Sequence, residues 1–307
     1  MKIAVMGAGG IGGYVGGRLA EAGADVTLIA RGAHLEVLRK TGLVIETPGG
    51  KVRLPDIRAG GSPAEVGEVD LVLFTVKLAD AEDAAMALLP MLGSHTRVLT
   101  LQNGIDSKAI IERHTGPDRV AEGIIYLAAY IRAPGDIWHP GGVHLTRADA
   151  SPDDPVMTEL FSMNDRLTDL DILPDKNARQ MVWGKFVNLA AFAGVTSVAR
   201  SPIGRVYETP ETLDLFRDLL GENLAVARAE GLTFSDDHVE TTIELFRNQP
   251  YEQNSSMLVD LEAGKPIEMP WLSGRVLELA RTHGIEVPAN RAVVAALAPF
   301  VNGTPTR

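Results

Sequence analysis

Hydrophobic and polar positions follow two different rhythms along this chain. In the first part, short apolar runs of strand length alternate with stretches of helical spacing. Lys2–Met6 (KIAVM) reads as a buried strand, residues 12–22 as a helix, 25–30 as a second strand and 34–39 as helical. Residues 69–76 form a continuous apolar run of strand length, 79–89 are helical, and 97–101 are again a strand. This β-α-β-α order predicts a parallel sheet with helices on both faces. The rhythm breaks over residues 123–146, which read as antiparallel strands with turns at Ala133-Pro134-Gly135 and Pro140-Gly141-Gly142. Clustered Asp and Pro make residues 150–154 a linker. From Asn177 onward the spacing is helical, with long stretches at Ala178–Ala199, 210–230, 236–246 and 271–282. Pro210 suits a helix first turn. A boundary near Pro174 to Lys176 divides the chain into residues 1–174 and 175–307.

Composition narrows the function classes. At 307 residues, about two domains are expected. The formal net charge of −11, with no run of Lys or Arg, argues against nucleic acid as a partner. The chain has no cysteine, so disulfides, thiolate nucleophiles and cysteine-ligated metals are excluded. The seven histidines show no metal-ligand spacing, and no metal site is expected; His139 reads as structural. No signal peptide or membrane-length apolar stretch is visible, the nearest being residues 189–199. A cytoplasmic protein without a membrane partner is the resulting expectation.

The opening segment GAGGIG carries specific chemistry. Gly7, Gly9 and Gly12 stand at the spacing G-x-G-x-x-G, with Gly10 and Ile11 inside the same turn. Gly7 permits a tight turn out of the strand, and Gly9 lets the backbone approach a pyrophosphate. Gly12 permits close packing of helix on strand. A preceding strand and a following helix strengthen a motif that is weak alone. Where NAD-binding chains place an acid at the end of the second strand, this one has Ala30 and Arg31. A guanidinium there matches a 2′-phosphate, so the expected cofactor is NADP(H).

Other candidates are less decided by spacing. Lys77 and Asn103 end the runs LVLFTVK and VLTLQNG, where ligands of parallel sheets gather, but a surface lysine and a turn asparagine fit equally. Lys185 lies in the apolar helical segment MVWGKFVNL. It is either a proton donor or a lysine with a buried stem and a solvated head. In NSSMLVDLEAGKPIE, Ser255, Ser256, Asp260 and Glu268 read, without more, as helix caps and a solvated face. The absence of a G-x-S-x-G elbow removes the simplest hydrolase reading.

Taken together, KIAVMGAGGIGG, Arg31, TVK, LQNG, GDIWH, WGKF and SSMLVDLEAGKPIE, in this order and spacing, resemble the ketopantoate reductase (2-dehydropantoate 2-reductase) family over nearly the whole chain. The resemblance implies an α/β N-terminal Rossmann domain with a parallel sheet core, an all-α C-terminal domain, and an active site in the cleft between them. It implies NADPH-dependent reduction of ketopantoate to pantoate, a step of pantothenate biosynthesis. By motif, Lys185 resembles the general acid, Glu268 the carboxylate that engages the substrate hydroxyl and the cofactor, and Ser256 the serine that meets the substrate carboxylate. Asn103 and Lys77 resemble residues near nicotinamide and substrate. Gly7, Gly9, Gly10, Ile11, Gly12 and Arg31 resemble the cofactor site. The family includes monomers and homodimers.

Two departures bear on the substrate. Leu189 and Ala193 stand four and eight positions after Lys185, where the family carries asparagines, and Asn188 is one position off, about 100° around the helix. Asn188 is the nearest amide that could serve the substrate. In MPWLSG, Ser273 replaces a further asparagine. Both changes make the expected pocket more apolar, so another 2-oxo acid is the alternative substrate. A non-catalytic NADPH sensor is a third reading.

Overall fold

The computed structural model describes residues 1–150 and 153–304. Part of the expected 150–154 linker, Ser151 and Pro152, lies outside the described residues. The chain forms two compact units, Met1–Met181 and Val182–Arg307.

The first unit contains β1 (Lys2–Met6), β2 (Asp25–Ile29), β3 (Leu43–Thr47), β4 (Gly50–Leu54), β5 (Arg58–Gly60) and β6 (Val69–Phe74). It continues with β7 (Leu92–Thr100), β8 (Val120–Leu127), β9 (Tyr130–Ala133), β10 (Asp136–Trp138), β11 (His144–Asp149) and β12 (Asp171–Asp175). Eight strands make one sheet in the order β12-β11-β8-β7-β6-β1-β2-β5. Its pairs are parallel except β8 with β11. The remaining four make a second sheet, β4-β3-β10-β9.

The antiparallel reading of residues 123–146 therefore splits between two sheets. β8 and β11 pair antiparallel, and so do β9 and β10 around Pro134-Gly135. β10, however, also pairs parallel with β3. The β3–β4 hairpin and the short β5 were not anticipated. β3 alternates buried and half-buried positions, a period-2 pattern too brief to stand out beside the longer runs. The expected boundary at Pro174 falls on β12, an edge strand of the large sheet, where a proline costs no ladder bond on its open side.

The helix Gly10–Glu21 explains the glycine density of the opening segment. A Cβ on Gly16 would lie 2.7 Å from Val5 and 2.9 Å from Leu28, both in the large sheet. A Cβ on Gly13 or Gly17 would lie 2.2 Å from Ile137 or 2.5 Å from Ile45, both in the second sheet. The helix is thus pressed against two sheets, and its glycines stand where side chains from both approach its backbone.

The second unit is helical, with Ala178–Ala199 running into it and Pro210–Ala229, His238–Arg247, Ser256–Glu262, Ser273–His283 and Pro288–Leu297 following. Phe246 packs between Phe192, tilted at 4.9 Å between ring centroids, and Phe216, edge-to-face at 5.6 Å. One expectation is corrected here. Ala178–Ala199, at 22 residues, is long and apolar enough by composition to cross a membrane, although no such run was read from the sequence. Lys185 and half-apolar small residues interrupt the run in the sequence, and 67% of its most apolar window is buried inside the protein, as befits a core helix.

Candidate functional site

In the first unit, β1, β6 and β7 are neighbours and end at the same edge of the sheet. Gly7 leaves β1 with φ +98°, a conformation that favours glycine, and a Cβ there would lie 2.8 Å from the Val76 side chain. A Cβ on Gly12 would lie 2.3 Å from the Gly7 carbonyl oxygen and from Thr75 Oγ1. Gly9 differs: it precedes the helix Gly10–Glu21, and nothing lies within 4 Å of where its Cβ would be. That helix has no side-chain cap and no acidic residue in its first turn. An open cradle before an uncapped helix N-terminus fits a phosphate group. Gly10 has another reason to be glycine, because its Cβ would collide with the Ala129 carbonyl oxygen. Ile11 packs against the core.

Arg31 follows β2 and Ala30 and precedes the helix Gly32–Thr41. It is exposed, and its guanidinium makes no ion pair with the described residues. One turn on, His34 accepts a hydrogen bond from the Gly135 amide at 3.0 Å through Nδ1, and burial lowers its pKa.

Lys77 is exposed just beyond β6, and Asn103 is half-buried just beyond β7. Gly104 takes φ +89°, so Asn103-Gly104 is indeed a turn. Gly7, Lys77 and Asn103 thus share one edge of this unit. His139 is buried, edge-on to Tyr14 at 5.0 Å, with Nδ1 2.7 Å from the Ala128 carbonyl oxygen, in keeping with a structural role.

In the second unit, Lys185 sits between the buried Trp183 and Phe186. It retains some surface, yet desolvation pushes its pKa down to about 8, while the charge of Glu268 pulls it up. Glu268 is 9% exposed and flanked by the buried Ile267 and Met269. The fold thus brings these two distant residues into electrostatic contact. Leu189 and Ala193 follow Lys185 along one side of its helix, as their spacing requires.

Two sequence expectations change, at Asn188 and Ser273, and the cap reading of the serines resolves to one residue. The Oδ1 of Asn188 accepts a hydrogen bond from the Thr242 hydroxyl at 3.3 Å and lies 3.1 Å from His238 Nε2. It ties two helices together, because a one-position offset turns it away from the Lys185 row. Of the two serines, Ser255 is the helix cap: its buried Oγ accepts from the Leu258 amide at 3.1 Å and lies 2.8 Å from Thr196 Oγ1. Ser256 is exposed, and Asp260 is half-buried on the same helix. Ser273 is fully buried, its Oγ 3.4 Å from the position of a Cβ on Gly194, a position also bordered by Leu219 and Val293. The departure at Ser273 therefore belongs to core packing rather than to a polar pocket wall.

Comparison with known proteins agrees with this division. Residues 3–151 match the family model for ketopantoate reductase PanE/ApbA, and residues 177–300 match the model for its C-terminal part. A 2-dehydropantoate 2-reductase of Halobacterium salinarum is 32% identical, with 95% of this chain and 96% of that protein covered. An uncharacterized oxidoreductase, YkpB, of Bacillus subtilis is 28% identical, with 97% and 98% covered. The crystal structure of a PanE/ApbA family ketopantoate reductase from Ralstonia eutropha superposes with a TM-score of 0.90 at 32% identity, with 98% of each chain covered. With both family models spanning most of its length, this chain belongs to the ketopantoate reductase family and is an oxidoreductase acting on a CH–OH/ketone couple.

Proposed function

We propose that this chain reduces ketopantoate to pantoate with NADPH. The observation that carries the reading is the pairing of Lys185 and Glu268 in an apolar setting, in a chain of this family. The bound reduced nicotinamide supplies the hydride that goes to the ketone carbon. Lys185, protonated at neutral pH, donates a proton from Nζ to the oxygen as it gains charge, a role worth roughly 10²–10⁴ in rate. Glu268 accepts a hydrogen bond from the substrate hydroxyl and holds Lys185 in its charged form. The exposed Ser256 hydroxyl meets the substrate carboxylate, and Lys77 and Asn103 orient the reacting groups. The open cradle at Gly9 takes the pyrophosphate, and Arg31 takes the 2′-phosphate.

A second reading keeps the chemistry and changes the substrate. Leu189 and Ala193, on the Lys185 side of the helix, favour a 2-oxo acid with a larger apolar substituent. NADPH oxidation with ketopantoate, pyruvate, 2-oxoisovalerate and larger 2-oxo acids separates the two. A kcat/KM of about 10⁴ M⁻¹s⁻¹ or more on ketopantoate supports the first, and a better rival supports the second. NADPH binding without turnover of any of them would remove both. Arg31→Ala should weaken NADPH roughly tenfold or more while leaving NADH nearly unchanged, the loss of charge-assisted bonds to one phosphate. Equal weakening of both cofactors would refute the 2′-phosphate role.

A further inference from the structure

The ends of β1, β6 and β7 are joined beyond the last sheet rung by side chains that the proposed chemistry does not use. The last backbone rung between β6 and β7 is the Leu101 amide to the Phe74 carbonyl at 3.1 Å. Past it, Gln102 Nε2 donates to the Val76 carbonyl oxygen at 2.8 Å. That carbonyl belongs to the peptide bond leading into Lys77, and Gln102 itself directly precedes Asn103. With Nε2 so engaged, Oε1 faces the other way and accepts a short hydrogen bond from the Ser107 hydroxyl. Ser107 has one proton and spends it there, so the Thr100 hydroxyl, 2.5 Å away, donates to Ser107. Thr100 and Ser107 are both buried. On the other flank, Thr75 Oγ1 lies 2.9 Å from the Gly7 carbonyl oxygen and 3.2 Å from that of Met6. A chain of directional bonds therefore runs from the buried Thr100 through Ser107 and Gln102 to the backbone before Lys77.

We infer that Gln102 is a positioning residue: its amide fixes the Lys77 and Asn103 loops relative to each other, so that both side chains are preorganised for cofactor and substrate. The inference rests on the reading of Lys77 and Asn103 as active-site residues. Methionine at position 102 keeps the volume of the side chain and removes both hydrogen bonds. The Val76 carbonyl then loses the bond that ties it to the end of β7, and a misplacement near 1 Å costs about 10²-fold in rate.

The test is a set of double-mutant cycles in the whole of this chain with Gln102→Met, Asn103→Ala and Lys77→Ala. It is read on kcat/KM with the best 2-oxo acid, on the NADPH dissociation constant and on the unfolding midpoint. We expect Gln102→Met to lower kcat/KM roughly 10–100-fold and to cost clearly less on top of Lys77→Ala or Asn103→Ala than it does alone, because it acts through both residues. Losses that multiply in the double variant, or a Gln102→Met enzyme within twofold of the parent, overturn the inference while leaving the active-site reading intact. If Lys77→Ala and Asn103→Ala are silent in both turnover and NADPH binding, the active-site reading of these loops fails and the inference falls with it. Should Gln102→Met not fold, Ser107→Ala removes only the donor to Oε1, and a smaller loss with the same non-additivity is expected. If the parent turns over no 2-oxo acid, the cycle is read on NADPH affinity with the same criteria.

Discussion

At Lys185 two influences oppose each other. Burial disfavours the ammonium and lowers its pKa to about 8, and Glu268 partly restores it. A proton donor must be protonated, so reduction by the enzyme should decline as pH rises through about 8. Removing the Glu268 charge removes the restoring influence, so Glu268→Gln should shift that decline to lower pH, beyond any loss of substrate binding. A pH–rate series on both proteins checks the sign, and a shift to higher pH would contradict the coupling. Stability runs the other way. Because the folded pKa lies below the ordinary 10.5, the unfolded chain holds the proton more tightly, and the stability withheld below pH 8 is recovered as pH rises toward 10.5.

At the scale of elements, the opening helix does two jobs with one residue type. Gly9 borders open space, whereas Gly10 lies under the backbone of Ala129. The two should therefore separate experimentally. Gly9→Ala should leave the unfolding midpoint nearly unchanged while sharply weakening NADPH, because the methyl enters the phosphate cradle. Gly10→Ala should destabilise the fold by about 1–3 kcal/mol through overpacking, since a carbonyl oxygen cannot swing aside as a side chain can. Thermal unfolding with and without NADPH measures both. Equal destabilisation by the two would show that both glycines serve packing alone. The G-x-G-x-x-G spacing was visible in the sequence, but the second set of glycines, at Gly13 and Gly17, acquires its meaning only from β3 and β10, which reach the helix from far along the chain.

Across the first unit, Arg18 and Tyr14 tie the opening helix to Asp169. Arg18 is 2% exposed, and its guanidinium lies 2.8 Å from Glu21 and 3.2 Å from Asp169, while Tyr14 donates to the Asp169 carbonyl at 2.7 Å. Asp169 has φ +50°, an unfavourable conformation for a non-glycine residue. Together these bonds fix the segment before β12 against the opening helix. Arg18→Ala should cost about 2–4 kcal/mol in urea unfolding, mostly from the cavity left by a buried side chain, with a smaller part from the lost ion pairs. Arg18→Met should cost less, since it keeps the volume and the two carboxylates are half-exposed and can rehydrate. Equal losses would assign the whole effect to charge pairing.

The sequence by itself determined the two-part architecture, the helix Ala178–Ala199 to the residue, and the glycine turn. These depend on local periodicity and on backbone conformations that favour glycine, both readable within a few residues. Tertiary structure decided the rest, because each remaining feature joins residues far apart in sequence. It sent β9 and β10 to a second sheet with β3 and β4, made Ser255 the cap and Ser273 a core residue, and turned Asn188 toward Thr242. It also gave Lys185 its lowered pKa, which no spacing of residues could encode, since desolvation, and the partial offset from Glu268, exist only once the chain has closed around them.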